Sequence, residues 1–388
     1  MNVTETTNTT SASLAMNLTE TANTTSAANS KTIAFVGSES PSNNQLYSIE
    51  YNSETQTLSL VATINVSFAQ PSWISLNPVD PTMMLVTYEG AGMYQNFNVT
   101  SNGGLIAASA PQSAGMGPVF SAFDPSGKFA GISDFTNGGY TIIQNYPNGT
   151  SVSITQNMSS NDPNRFLGPN SNNASHPHQF VVNPSVPIAY IPNLAANVVS
   201  TYDFANGTLT FQETLTISGG PRHMVINNNG TLAWLVTEDS CQVQPLKIDG
   251  TGKLSLNGVS VNVTQPGQLE GECAEVVVTR DSQALFVSNR QLNTTQPDFI
   301  TKFDVNIDGT LANATSYNTG GQNIRSMTLN NDSSMLLFGH LASGTVGMFG
   351  IDPQTKNLTM LTQTLLNLTS AANLSASAEP ATFVFSGN

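Results

Sequence analysis

One segment type recurs seven times along the chain, and that recurrence restricts the fold more than any other feature. Each copy has a turn residue, a short apolar strand, an Asn/Asp/Gly turn, a second apolar strand and a polar end. The copies begin at Pro71 (PSWISLNPVDPTMMLVTYEG), Pro118 (PVFSAFDPSGKFAGISDF), Pro177 (PHQFVVNPSVPIAYIPNL), Pro221 (PRHMVINNNGTLAWLVTED), Cys273 (CAEVVVTRDSQALFVSNR), Ile324 (IRSMTLNNDSSMLLFGHL) and Pro380 (PATFVFSGN). Their spacings are 47, 59, 44, 52, 51 and 56 residues. Between them lie two more strand-like stretches joined by turns, such as VVSTYDFANGTLTFQETLTI. Four strands per period, seven times, predicts an all-β fold, a seven-bladed β-propeller. The last copy stops after one strand, and KTIAFVGSES (residues 31–40) supplies its second. Strands from both termini would then close the ring and remove its free edges. A pair of β-sandwiches is the alternative, but it gives no reason for the two ends to match.

Residues 1–30 repeat differently and precede the propeller domain of residues 31–388. MNVTETTNTTSA at Met1 returns as MNLTETANTTSA at Met16. This low-complexity, Thr/Asn-rich N-terminal tail reads either as a glycosylated stalk or as a strand donated to a neighbouring subunit. The second reading implies self-association into an extracellular filament.

Composition limits the partners. With 11 Lys+Arg against 25 Asp+Glu the formal net charge is -14, which argues against nucleic acid. No apolar run approaches the roughly 20 residues of a membrane span. Only 9 % of residues are charged, against roughly 25 % ordinarily, so uncharged polar groups must keep the surface soluble. Acceptor motifs for N-linked glycans occur at Asn2, Asn8, Asn17, Asn23, Asn65, Asn98, Asn148, Asn157, Asn173, Asn206, Asn229, Asn262, Asn293, Asn313, Asn331, Asn357, Asn367 and Asn373. They favour a secreted, extracellular glycoprotein. Residues 1–15 lack the pattern of a leader, so the numbering is expected to start after a removed one. Cys241 and Cys273 fit one disulfide in an oxidising compartment, with two buried free thiols as the other reading. No Cys/His cluster, Walker loop, GxGxxG, GxSxG or HExxH is present, and no metal or cofactor is expected.

The chemistry concentrates where the copies align. Their second position holds Ser72, Val119, His178, Arg222, Ala274, Arg325 and Ala381, and their third holds Trp73, Phe120, Gln179, His223, Glu275, Ser326 and Thr382. The end of the second strand holds Glu89, Asp134, Asn193, Glu238, Arg290 and His340. All four histidines and three of the five arginines fall in or beside these segments. Arginine clusters suit carboxylate recognition, and His178 and Glu238 have the chemistry for general acid and base. The bland alternative is that these groups only satisfy buried strand ends in the channel.

The segments HPHQFVVNP, GGPRHMVINNNGTLAWLVTE and CAEVVVTRDSQALFVSNR resemble the seven-bladed propeller lactonases. That group includes cycloisomerase-type 6-phosphogluconolactonases and 3-carboxy-cis,cis-muconate lactonising enzymes. The resemblance covers roughly residues 31–388. It implies metal-free lactone hydrolysis or cycloisomerisation of a small anionic substrate. It assigns catalysis to His178, Arg222, Glu238 and Arg290, with Glu275 as a further acidic position. Arg325, His223 and His340 are expected beside them as substrate-binding groups. The Asp134-Phe135 ending of the second copy departs from the Asn-Tyr of bacterial members. Two other functions compete: the polymerising structural subunit, and a carbohydrate- or peptide-binding propeller using Trp73 and Phe120 as a stacking surface.

Overall fold

The computed structural model describes residues 1, 31–154, 175–269, 271–292, 295–365 and 378–386. The chain divides into Met1–Ser30 and Lys31–Asn388. The strand-donating or stalk-like tail lies outside the described residues. So do the acceptor sites Asn2, Asn8, Asn17, Asn23, Asn157, Asn173, Asn293, Asn367 and Asn373.

Lys31–Asn388 is a seven-bladed β-propeller, and no helix occurs among the described residues. Each blade is an antiparallel meander that runs from the channel outward. Blade 1 consists of Pro380–Phe385, Lys31–Ser38, Gln45–Asn52 and Thr57–Asn65. Blade 2 runs Trp73–Leu76, Met83–Tyr88, Met93–Val99, Leu105–Ala107. Blade 3 runs Pro118–Phe123, Phe129–Asp134, Gly139–Asn145, Ser151–Ile154. Blade 4 runs Val181–Val182, Ile188–Asn193, Val198–Ala205, Thr208–Thr216. Blade 5 runs Pro221–Ile226, Leu232–Thr237, Gln242–Ile248, Leu254–Leu256. Blade 6 runs Glu272–Val278, Ala284–Arg290, Phe299–Val305, Leu311–Asn318. Blade 7 runs Ile324–Leu329, Met335–His340, Thr345–Ile351, Leu358–Leu365.

The two ends of the chain meet in blade 1. Ala34 pairs with Phe385, Val36 with Phe383 and Gly37 with Thr382. The first strand of blade 4 is shorter than its aligned copies. Pro192 of the facing strand Ile188–Asn193 has no N–H to offer the residues before Val181, so only Val181–Val182 pairs regularly. A bridge from Pro177 to Asn193 and a bond from His178 N to Pro192 O (2.9 Å) keep the rest in line.

Side chains alternate across each strand, so both faces of a blade are apolar. Seven hydrophobic clusters result, one between each pair of neighbouring blades. In blades 2 to 7 the polar residue after the first strand closes the turn by accepting backbone N–H groups. Asn77 Oδ1 accepts from Val79 N (2.9 Å), and Asn227 Oδ1 from Thr231 N (2.9 Å) and Leu232 N (3.0 Å). Asn77 and Asn183 also donate to the next blade, to Gly127 O (2.8 Å) and Gly230 O (3.0 Å). The Asn206-Gly207 hairpin uses positive φ at both residues (52° and 78°), as a two-residue turn between right-twisted strands requires.

Cys241 and Cys273 form a disulfide that ties blade 5 to blade 6. It closes a separation of 32 residues, for which the chain-entropy model gives about 4 kcal/mol. The double variant Cys241→Ser/Cys273→Ser is expected to lose stability of that order. Chemical denaturation of both proteins under identical conditions measures it.

Candidate active site

In each meander the connections from second to third strand, and from each blade to the next, emerge at one end. The start of the first strand and the end of the second share that end. A β-bulge sits there in five blades. Pro221 pairs with Thr237 and His223 with Val236, leaving Arg222 as the extra residue. Arg325 is the extra residue between Ile324 and Ser326, and Val119 and Ala381 occupy the same place in blades 3 and 1. In blade 6 the shift spans Ala274 and Glu275. A bulge re-aims its extra side chain, which is how Arg222 and Arg325 leave the sheet pattern and join the channel mouth.

Glu238 links two arginines there. Its Oε2 lies 2.6 Å from Arg222 Nε, and its Oε1 lies 3.0 Å from Arg290 Nη2. Burial pushes the Glu238 pKa up, but Arg222 and Arg290 outweigh that and hold it below the usual carboxylate value. Arg222 is 2 % exposed and anchored to Ala274 O by Nη1 (2.7 Å). Burial lowers its pKa to about 10, which leaves it charged at neutral pH. Arg290 also meets Glu272, through Nη2 to Oε2 (3.4 Å) and Nε to the backbone oxygen (3.3 Å).

His178 heads a chain of hydrogen bonds. Its Nδ1 lies 3.1 Å from His223 Nε2, and His223 Nδ1 lies 2.9 Å from Glu275 Oε1. A carboxylate oxygen accepts, so His223 donates from Nδ1 and accepts at Nε2. His178 then donates from Nδ1 and carries its lone pair on Nε2. Burial, and next the nearby Arg222, hold His178 well below its ordinary pKa, so the ring is neutral. Trp73 and Phe120 pack on each other (4.1 Å) and edge-on to His223 (5.6 and 5.2 Å). They help fill the channel beneath the charged layer.

A second group completes the mouth. Arg325 ion-pairs with Glu39 and reaches Glu89 at 3.6 Å. Glu39 follows the end of Lys31–Ser38, and Glu89 follows Met83–Tyr88, so both hold the strand-end position that Glu238 holds in blade 5. Their side chains are 15 % and 22 % exposed, like the 19 % of Glu238, so all three border the mouth. Oε2 of Glu39 and of Glu89 is buried, and the two carboxyl groups share a hydrogen bond when Glu39 is protonated. Burial, with Glu89 adding to it against the pull of Arg325, raises the Glu39 pKa to about 7.

The structure thus brings His178, Arg222, Glu238, Arg290 and Arg325 to one mouth. Glu275 and His223 lie one layer deeper and are bonded to each other. His340 does not reach the mouth. Its two ring nitrogens bond Thr345 Oγ1 (2.7 Å) and Thr319 Oγ1 (2.8 Å), and burial lowers its pKa to about 4. It shares the strand-end register, but Gly321 leaves room for the ring to turn inward. Asp134 accepts from Met116 N (2.8 Å), and burial raises its pKa to about 6. Sequence reasoning left Glu39 and Glu272 out, although extending the strand-end alignment to residues 31–40 points to Glu39. Among the described residues no three His, Cys, Asp or Glu side chains are grouped to hold a metal. A groove of about 780 Å³ opens beside Glu238, lined by Asp239, Asn262, Thr264 and Gln268 among others. Its one titratable side chain is Asp239, so the reactive groups are at the mouth itself.

The model of the family "Lactonase, 7-bladed beta-propeller" matches residues 33–371. The chain belongs to this family. A relative of this lactonase-family propeller from Arthroderma benhamiae, named a probable 6-phosphogluconolactonase, is 21 % identical over 85 % of this chain and 84 % of its own. The 6-phosphogluconolactonase of Yersinia pestis is 25 % identical, but the match spans 48 % of this chain and 56 % of that protein. A periplasmic gluconolactonase of Pseudomonas aeruginosa has the same fold, with a TM-score of 0.77, 17 % identity, and coverage of 92 % of this chain and 99 % of that one. A Lactobacillus plantarum protein superposes equally well, with a TM-score of 0.77, 18 % identity, and coverage of 92 % and 99 %.

Glu39 gives a pH dependence with a definite sign. Its pKa rises from 4.5 to about 7 on folding, so the folded chain holds this proton more tightly. The associated stability is complete below pH 4.5 and is lost as pH rises through about 7. The melting temperature of the wild type is therefore expected to fall relative to Glu39→Gln across that window. Paired thermal scans at stepped pH measure the difference, and parallel curves would refute the assignment.

Proposed function

We propose that this lactonase-family propeller hydrolyses a lactone at the mouth where Glu238, Arg222, Arg290 and His178 meet. The observation that carries this reading is Glu238, ionised, held between two arginines and still partly open to solvent. Water attacks the lactone carbonyl carbon and Glu238 takes its proton. The carbonyl oxygen becomes an oxyanion, which the fixed positive charge of Arg222 and Arg290 stabilises. The ring C–O bond then breaks, and the proton held by Glu238 passes to the departing ring oxygen. The product is the open hydroxy acid. Neutral His178 offers Nε2 as an acceptor that orients the water or a substrate hydroxyl.

Glu238→Gln keeps the shape and removes the base. A loss of about 10²–10⁴ in kcat/KM is expected, with the circular dichroism spectrum unchanged. Because Gln leaves Arg222 less compensated, Arg290→Gln is the second test, and it should lower kcat through the oxyanion without removing the base. Full activity in both variants would exclude this site.

We further propose that the protein works outside the cell as an N-linked glycoprotein. All nine described acceptor asparagines are exposed: Asn65, Asn98, Asn148, Asn206, Asn229, Asn262, Asn313, Asn331 and Asn357. The disulfide fits an oxidising compartment. Peptide mapping after enzymatic deglycosylation in heavy-oxygen water should show Asn-to-Asp conversion at these positions in natively produced protein. Unmodified peptides throughout would refute it.

A further inference from the structure

We infer that the mouth takes an uncharged polyhydroxy lactone in preference to a phosphorylated or carboxylated one. This rests on the lactonase reading above and names its substrate class. The family resemblance read from sequence implies an anionic substrate, with Arg222 and Arg290 as its binding groups. In the structure a carboxylate of the protein already occupies that place.

Each arginine described at the mouth is paired. Arg222 and Arg290 share Glu238, Arg290 also meets Glu272, and Arg325 meets Glu39 and Glu89. Three arginines face four glutamates, and neutral His178 adds no charge. The other described cations sit toward the opposite end of the blades. Lys128 and Arg280 lie at turns between first and second strands, Lys253 and Lys356 at turns between third and fourth, and Lys302 Nζ bonds Thr355 O in such a turn (2.7 Å). Among the described residues, then, the mouth has no unpaired cation for a phosphate. A dianion entering it meets the carboxylates of Glu89, Glu238 and Glu272 within a chain of net charge -14.

The free hydrogen-bonding capacity is of the opposite kind. The side chains of Glu89, Glu238 and Glu272 are 22 %, 19 % and 47 % exposed, so carboxylate oxygens are what the mouth presents. Such oxygens accept, and the complementary ligand group is a donor. Hydroxyls on a lactone ring meet that need, whereas phosphate and carboxylate oxygens are acceptors themselves.

The test compares glucono-1,5-lactone with its 6-phosphate on the full glycosylated chain, following acid release. The expected kcat/KM ratio is at least about tenfold in favour of the uncharged lactone. Repulsion of the phosphate is screened by salt, so the ratio should narrow as salt is added, and Glu89→Gln should narrow it at low salt. A ratio at or below one overturns the inference. If neither lactone is turned over, calorimetry with unhydrolysable gluconolactam and with 6-phosphogluconate separates the two claims. Lactam binding alone keeps the substrate class and removes the hydrolysis reading, whereas binding of the phosphorylated acid alone, or of neither, removes the class as well.

Discussion

Pairing of Lys31–Ser38 with Pro380–Phe385 is the contact on which the other blades depend. A propeller blade has two apolar faces, and each is buried only because a neighbour lies on either side. Blade 1 covers Leu337, Val346 and Met348 of blade 7 on one side and Ile74, Met84 and Val86 of blade 2 on the other. Without the terminal strand pair, both faces open to water and no other blade can fill the gap. The same pairing carries Glu39 to the mouth, since that residue follows directly on the paired strand. Closure and site assembly are therefore one event, made by segments more than 340 residues apart.

The mouth shows what charge costs in so charge-poor a chain. Removing a guanidinium from water costs several kcal/mol unless a carboxylate and further hydrogen bonds compensate. Arg222 is almost wholly buried, and Glu238 and Ala274 O supply that compensation. The same logic gives Arg325 its Glu39 and Arg290 its Glu238 and Glu272. The result is a site of strong fixed dipoles and little net charge. Such a site stabilises charge that develops during a reaction more readily than charge a substrate brings with it.

Much of this was legible in the sequence because period and spacing survive in one dimension. The seven copies, the wrap-around match of the ends and the Cys241–Cys273 pair all follow from position along the chain. So do His178, Arg222, Glu238 and Arg290, because strand starts and strand ends share one end of every blade. Side-chain direction does not survive in this way. His340 has the register of Glu238 and Arg290, yet it turns inward to two threonines. Arg222 and Arg325 reach the mouth through bulges, which alignment of the copies cannot reveal. Glu39 was hidden because its blade is split between the ends of the chain. The pairing of Arg222, Arg290 and Arg325 with carboxylates is likewise a three-dimensional fact, and it changes what kind of ligand the site suits.

Aromatic packing beneath the mouth helps set the hydrogen-bonding sense of the site. Trp73 of blade 2, Phe120 of blade 3 and His223 of blade 5 are in ring contact. His223 is thereby fixed between aromatic edges and Glu275. Its fixed protonation pattern is passed to His178, whose Nε2 must then be the unprotonated nitrogen. The aromatic packing thus helps set the hydrogen-bonding sense of the layer above it. At the mouth the partly exposed carboxylates of Glu89, Glu238 and Glu272 present acceptors. A ligand rich in donors meets all of them from a single side.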